Sequence, residues 1–458
     1  MSSADVVVVG AGLSGLSAAI AAAQSGARVQ VLAKGHAGTH WGTGGLDVAA
    51  LPGSATPREA LGRLAAMPGH PYGLLAQDVQ GSIEWLGAIL AGRGLAYEGG
   101  LDSPLARVPT SIGGTRLAAI LPAAQAPAAR PWDAGETLVV CGVAGFKDFW
   151  PDAIAASLAR PRFWGDRPGP ESVLAVSAEL PGMTERHNLN ALALARRFDD
   201  PAWREEAIRA ISAAVDATLR RAAHAGTVRV ALPAVIGLDD HAAAFAQLSD
   251  RLVGRPFEMP LVPPSVPGVR LYRALRGALL EAGGRVLIGE VISRVERDGN
   301  RVTAVATSAA SREYRVRTDS VVLATGGIAG GGLVADMEGQ FEEAVLGLPV
   351  EAPPREEWLS ADPFEPEGHP LESAGIRTDG DLRPIDTAGA PILENVRVVG
   401  ASLAGQRPLR QGCKAGVSVA SGQRAGRALG ALSAGWAAGA GAVQTAGPNL
   451  VETGSVRP

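Results

Sequence analysis

A chain of 458 residues carrying a net charge of −4 is long enough for two domains, or for one large domain with an insertion. A charge of that size and sign excludes a polyanion-binding surface, and with it nucleic acid as a partner. The two cysteines, Cys141 and Cys413, form no CxxC pair, and the seven histidines contain no HExxH, which argues for a reducing cytoplasm and against a bound metal.

The chain opens on Asp5-Val6-Val7-Val8-Val9, an apolar strand that runs into Gly10-Ala11-Gly12-Leu13-Ser14-Gly15 and an Ala-rich helix through Gln24. Gly10 permits the tight turn, Gly12 lets backbone approach a pyrophosphate, and Gly15 lets helix and strand pack closely. The helix start adds unpaired N–H groups and a partial positive charge for an anion. A second strand, Arg28 to Ala33, completes a βαβ unit of the dinucleotide-binding kind. A nicotinamide-binding version calls for an acid about 20 residues past the glycines to hold the ribose hydroxyls. The residues there are Ala33 and Lys34, so that acid is missing. The uncharged run Val6 to Ala27 is broken by glycines and serines and has no basic segment before it, so it reads as βαβ rather than as a signal peptide or a membrane span.

A loop with many glycines and small hydroxyls follows, from Lys34 through His40, Thr43, Gly44 and Gly45 to Asp47, and suits close approach to a flat ligand. Residues 118–133 are Ala/Pro-rich and read as a linker. Beyond it, strands are expected at Leu138–Val143, Ser172–Glu179 and Thr227–Pro233, with helices at Phe149–Ala159, about 188–224 and 241–253. This predicts an inserted α/β unit that ends at the prolines of 260–267. A helix over Val269–Ala282 stops at Gly283-Gly284. Five strands are then predicted, at Arg285–Ile288, Ile292–Arg297, Val302–Ala306, Glu313–Arg317 and Ser320–Ala324. The last runs into Thr325-Gly326-Gly327. Val396 to Gly400 is a further strand, and a helix is expected from about Gly416 to Leu429, fraying through the Ala/Gly-rich stretch 428–447. The resulting division is 1–117 and 265–440 for a split nucleotide-binding domain, 134–264 for the insertion and 441–458 for a disordered tail.

The opening βαβ unit, the Gly44-Gly45 loop, the Ala-Thr-Gly-Gly return and the Gly400 strand together resemble flavoproteins of the fumarate reductase and succinate dehydrogenase type. Within that group the chain is similar to the B-subunit family of anaerobic glycerol-3-phosphate dehydrogenase. That likeness runs through Met67-Pro68-Gly69-His70-Pro71-Tyr72-Gly73, Val143-Ala144-Gly145-Phe146-Lys147-Asp148, Gly332-Leu333-Val334-Ala335-Asp336, Leu346-Gly347-Leu348-Pro349, Thr378-Asp379, Leu382-Arg383-Pro384 and Gly412-Cys413. The resemblance implies an α/β fold, a Rossmann-like, glutathione-reductase-type split FAD-binding domain with an inserted α/β domain. It also implies a flavin-dependent oxidoreductase that converts glycerol 3-phosphate to dihydroxyacetone phosphate. Electrons then pass toward quinone, alongside companion dehydrogenase and iron–sulfur subunits. The expected cofactor is FAD, with FMN as the alternative. Some relatives attach flavin through a histidine six residues before the Gly-Gly pair; that position is Gly38 here, so the flavin is expected to be non-covalent. No membrane span is expected, which leaves a cytoplasmic protein that reaches the inner membrane only through partner subunits.

On these readings the cofactor is held by Gly10, Gly12, Leu13, Ser14, Gly15, Ala33, Lys34, His40, Thr43, Gly44, Gly45, Thr325, Gly326, Gly327, Gly400 and Gly416. Oxidising a secondary alcohol needs a base for the hydroxyl proton, and a substrate phosphate needs a cationic clamp. His40 and His369 are the base candidates; Arg383, Arg410 and Lys414 are the clamp candidates. Cys413 is open to two readings: a thiol activated by a helix start and Lys414, or a buried inert side chain. Two other functions stay open: a flavin-binding electron-transfer or assembly subunit that oxidises nothing itself, and an oxidoreductase for another hydroxy substrate.

Overall fold

The computed structural model describes residues 2–165, 168–183, 189–224, 226–309 and 312–443. Its larger sheet is built around β1 (Ser2–Val9), whose valines are almost fully buried on both faces, as a central parallel strand requires. The first helix, α1 (Leu13–Gln24), leads to β2 (Val29–Ala33), which pairs with β1 in parallel from Val6↔Val29 to Val9↔Leu32. Helices Pro57–Ala65 and Tyr72–Ala91 add to its core, and the rest of this half comes after residue 265. It comprises helix α2 (Val266–Glu281) and strands β3 (Arg285–Ile288), β4 (Val291–Asp298), β5 (Arg301–Ala309), β6 (Arg312–Leu323) and β7 (Val396–Val398), then the long helix α3 (Lys414–Val443).

The strand order is β3-β2-β1-β6-β5-β4, and β7 also pairs with β6. Strand β6 is parallel to β1 from Ser2↔Val316 to Val9↔Leu323; its first half carries antiparallel β5 and its last three residues carry parallel β7. It is one strand, not the two expected from the polar step Thr318-Asp319-Ser320. The Thr318 hydroxyl donates to the Asp5 and Ser320 carbonyls, so a polar residue sits in the sheet without breaking it. The carboxyl ends of β1, β6 and β7 therefore lie side by side, where open α/β sheets bind ligands.

Helix α1 is buried along most of its length, between the sheet and α3. The contact is close because glycines of α3 face backbone of α1: a Cβ at Gly422 would lie 2.3 Å from Ser14 O, and one at Gly426 2.1 Å from Ala18 O. The same stripe continues at Gly430, against Ala22 O. The expected fraying from 428 is thus corrected. The Ala-rich sequence stays helical through Val443, alanine being the best helix former. The tail expected at 441–458 lies outside the described residues from 444 onward.

The middle of the chain forms a second, four-stranded parallel sheet, in the order Arg255–Met259, Val228–Pro233, Thr137–Val143, Ser172–Ala178. The helix expected over about 188–224 is two helices among the described residues, Ala191–Phe198 and Pro201–Arg221, separated where Asp200 caps the second through Ala202 N at 3.0 Å. Residues 118–133 are not a free linker. They include strand Ile120–Pro122 and the 3-10 turn Ala126–Ala129, and the Arg229 guanidinium gathers the Pro127, Arg130 and Pro131 carbonyls. Arg229 itself is 1% exposed, ion-paired to Glu136 at 2.6 Å and stacked on Trp132 at 4.1 Å.

Candidate functional site

Two glycines of the β1–α1 turn are required by the chain's own packing. Gly10 has φ +112° and a Cβ there would stand 2.2 Å from Ala324 O; a Cβ at Gly15 would stand 2.0 Å from Gly10 O. Gly12 is different. Its φ is −78°, and a Cβ there would meet only Ala37 Cβ, at 3.4 Å. Nothing in the protein demands glycine at this point. Helix α1 also starts with no side-chain cap and no acid in its first turn. Uncapped amides beside a position kept free of a side chain form a cradle for a phosphate-bearing ligand. The residues present therefore fit the pyrophosphate of FAD.

The other two turns close on the same place. A Cβ at Gly400 would reach Ser14 Oγ at 2.4 Å, which packs the β7 turn against the start of α1. The Ser402 hydroxyl donates to Gly326 O at 3.1 Å and lies 3.5 Å from Thr325 Oγ1, tying the β6 turn to it. Behind Thr325 stands a residue that the sequence did not reveal. Glu343, 1% exposed, accepts the Val345 N–H at 3.0 Å and the Leu346 N–H at 2.6 Å. Burial pushes its carboxyl up to about 7, against the pull of those amides, the Thr325 side chain and Arg297.

At the end of β2, Ala33 is buried and its carbonyl takes the Gly289 and Glu290 N–H groups, at 2.8 and 3.0 Å; Lys34 is exposed. The nearby Glu290 carboxylate is taken by the Thr307 hydroxyl. Neither Ala33 nor Lys34 offers a carboxylate to a ribose.

The loop from 34 to 47 is held from several directions. The Ser265 hydroxyl at the start of α2 donates to Gly42 O at 2.5 Å, Gln125 Nε2 to Thr43 O at 2.8 Å, and the Tyr97 hydroxyl to Gly44 O at 2.9 Å. His40 stacks on His36 with centroids 4.5 Å apart, and both rings meet Tyr272 edge-on. Burial, His36 and the Arg273 guanidinium hold the His40 imidazole below its ordinary pKa, so at neutral pH it is an uncharged proton acceptor.

Two further groups that sequence reasoning missed sit on this loop. Arg116 lies over Gly45 and donates to the Thr43 hydroxyl and, at 2.5 Å, to Asp47 Oδ1. Asp47 O in turn accepts the Ala415 and Gly416 N–H groups at the start of α3, at 3.0 and 3.1 Å. Burial raises the Asp47 carboxyl above its ordinary range, although Arg116 and Lys414 oppose this. Lys414 reaches back to the loop: a Cβ on Gly38 would stand 3.7 Å from its Nζ. Strand and helix starts about 70 and 370 residues away are joined here only by folding, so local sequence carries no signal for the pairing.

The remaining candidates lie in local networks of their own. His369 Nδ1 accepts the Ser360 N–H at 3.1 Å, while the His369 backbone N–H goes to Glu372 at 3.2 Å. That ring nitrogen braces a loop. Arg383 is paired with Asp379 at 2.7 Å and Asp381 at 3.5 Å, and Arg410 packs on Gly368 with Glu372 at 4.0 Å. Gly416 faces the Tyr72 hydroxyl, which a Cβ would approach to 2.1 Å, so its need for glycine comes from protein packing rather than a ligand. The activated-thiol reading of Cys413 is corrected: the side chain is fully buried and burial pushes the thiol up to about 12.

Comparison with known proteins agrees with this geometry. Residues 5–417 match the FAD binding domain family. The anaerobic glycerol-3-phosphate dehydrogenase B-subunit of Yersinia pestis is 32% identical over 434 residues, covering 91% of this chain and 96% of that protein. The protein of the same name from Vibrio cholerae is 26% identical over 440 residues, covering 91% and 94%. Among solved structures, 3-ketosteroid delta1-dehydrogenase from Sterolibacterium denitrificans aligns with 94% of this chain and 100% of its own at 14% identity, with a TM-score of 0.43. The chain therefore belongs to the B-subunit family of anaerobic glycerol-3-phosphate dehydrogenase, flavin oxidoreductase subunits built on an FAD binding domain.

Proposed function

We propose that the protein oxidises glycerol 3-phosphate to dihydroxyacetone phosphate and passes the electrons toward quinone, as one subunit of a complex with companion dehydrogenase and iron–sulfur subunits. The relatives' name supports both the substrate and the assembly. The observation that carries the reading is the open cradle at Gly12, faced across Ala37 by the loop that bears His40. Bound FAD supplies the two-electron acceptor. The protein's share is to hold the phosphate-bearing cofactor on the first turn of α1 and to take the hydroxyl proton as the carbonyl forms. We assign that proton to His40, which is uncharged at neutral pH and not tied into an ion pair. No helix among the described residues is long and apolar enough to cross a membrane. Contact with a membrane quinone pool is accordingly assigned to partner subunits.

A second reading, a flavin carrier that relays electrons without oxidising substrate, draws support from the engagement of Arg383 and Arg410 in local ion pairs. One experiment separates the two. The purified chain is loaded with FAD, the cofactor is identified by mass after release, and the protein is titrated anaerobically with glycerol 3-phosphate. Bleaching of the isolated protein within a single turnover is the expected result. A flavin that stays oxidised contradicts the dehydrogenase reading and leaves the carrier.

A further inference from the structure

We propose that Arg116 and Lys414 are the clamp for the substrate's phosphate group, and that Asp47 occupies the place of the phosphate oxygens until substrate arrives. The proposal rests on the glycerol 3-phosphate reading above. A phosphate dianion is best held by an arginine fork supported by a second cation. Of the arginines the sequence suggested, Arg383 is paired with Asp379 of its own loop and Arg410 stands 4.0 Å from Glu372 of the 370–373 turn. Arg116 is placed differently. It comes from strand Thr115–Ala118, crosses to the Gly44-Gly45 loop and lays its guanidinium over Gly45, where a Cβ would lie 2.7 Å from Nη1. Lys414 is the first residue of α3 and solvent-exposed, with its ammonium near Gly38 of the same loop and close enough to Asp47 to act on its carboxylate. Two cations from distant parts of the chain thus converge on one loop, beside the base candidate His40.

The anion already present is a weak competitor. The Arg116–Asp47 pair keeps 22% and 35% of its side-chain surface, so it is open to an incoming ligand from one side. Asp47 is also anchored through its backbone, whose carbonyl caps the start of α3, so its side chain can swing away from Arg116 without the loop coming undone. Two positive groups and one negative leave an excess positive charge, and a dianion satisfies the fork better than a single carboxylate. A bracing role alone would leave phosphate recognition indifferent to Arg116.

The test uses the FAD-loaded full chain as wild type, Arg116→Met, Arg116→Lys and Lys414→Met. Inorganic phosphate binding is measured by calorimetry, and flavin reduction is followed with glycerol 3-phosphate and with unphosphorylated glycerol. The expected result is phosphate binding by wild type, weakened about 10- to 100-fold in Arg116→Met and about 10-fold in Lys414→Met, as for loss of charge-assisted hydrogen bonds. Half-saturation for glycerol 3-phosphate rises by the same factors and by more than that for glycerol, while FAD content holds. Arg116→Lys falls between, since it keeps charge but loses the fork. Unchanged half-saturation in both Met variants overturns the clamp. So does an equal loss toward glycerol and glycerol 3-phosphate, which assigns Arg116 to bracing the loop. Wild type that is not reduced by glycerol 3-phosphate contradicts the function reading instead, and phosphate calorimetry still decides the clamp.

Discussion

The two sheets treat their polar groups in opposite ways. Around the four-stranded sheet, charge is buried and fully engaged: Arg229 meets Glu136 and three carbonyls, and Arg270 meets Glu258 at 2.6 Å together with the Ile236 and Gly237 carbonyls. Glu258 is completely buried, yet the Arg270 guanidinium and His241 hold its carboxyl below the ordinary range against the cost of burial. At the carboxyl ends of the seven-stranded sheet the amides of α1 begin uncapped, and Arg116, Lys414 and His40 face a loop rather than a core. Saturated donors hold a fold together; donors with capacity left over hold a ligand. The same distinction separates Gly10 and Gly15, which the backbone needs, from Gly12, which it does not.

The comparison breaks first, and most severely, at the buried pairs. Glu136→Gln or Arg229→Met leaves a desolvated partner, and each is expected to cost about 3–5 kcal/mol in chemical denaturation. A cost under about 1 kcal/mol for either would mean that the second sheet does not depend on that charge. Next comes Glu343, whose folded pKa of about 7 lies above that of an unfolded glutamate. The folded state then binds the proton more tightly, so this group's contribution is fully present below the unfolded pKa and is lost as pH rises toward 7. Glu343→Gln should therefore gain on wild type by about 3 kcal/mol between pH 4.5 and 7.5, read from paired denaturation curves. A constant difference across that range contradicts the assignment.

On the open side, His40→Asn should lower the rate of flavin reduction by glycerol 3-phosphate about 100-fold with FAD content unchanged, the lower end of what a general base contributes. Stopped-flow reduction checks this, and an unaffected rate moves the base elsewhere. The smallest effect is expected at the surface. Arg28 donates to Asp5 at 2.5 Å but is 65% exposed, so Arg28→Ala should cost less than about 1 kcal/mol in the same denaturation assay.

What the sequence made legible follows the range of each interaction. The β1–α1 turn could be read because its reasons are local: four valines, three spaced glycines, one alanine-rich helix. The returns at Thr325-Gly326-Gly327 and Gly400 were legible for the same reason, each a strand ending in glycine. Strand β6 was read as two because Thr318 and Asp319 look like a turn until Asp5 supplies a partner for the Thr318 hydroxyl. Residues 118–133 looked like a linker because their anchor, Arg229, lies about 100 positions further on. Arg116, Asp47 and Glu343 stayed hidden for a related reason. An isolated charged residue becomes informative only when folding gives it a neighbour, and those neighbours come from Thr43, Lys414 and Thr325. His369, Arg383 and Arg410 show the reverse, since each looked free in sequence and is engaged by a residue a few positions or one loop away.

The central claim is that the first turn of α1 is left open for the pyrophosphate of FAD, and Gly12 tests it most directly. Gly12→Val, at a φ that valine adopts without strain, should keep the far-ultraviolet spectrum and melting behaviour of the apoprotein while weakening FAD binding at least about 100-fold, measured by fluorescence titration. A folded Gly12→Val protein that binds FAD as tightly as wild type would contradict the account.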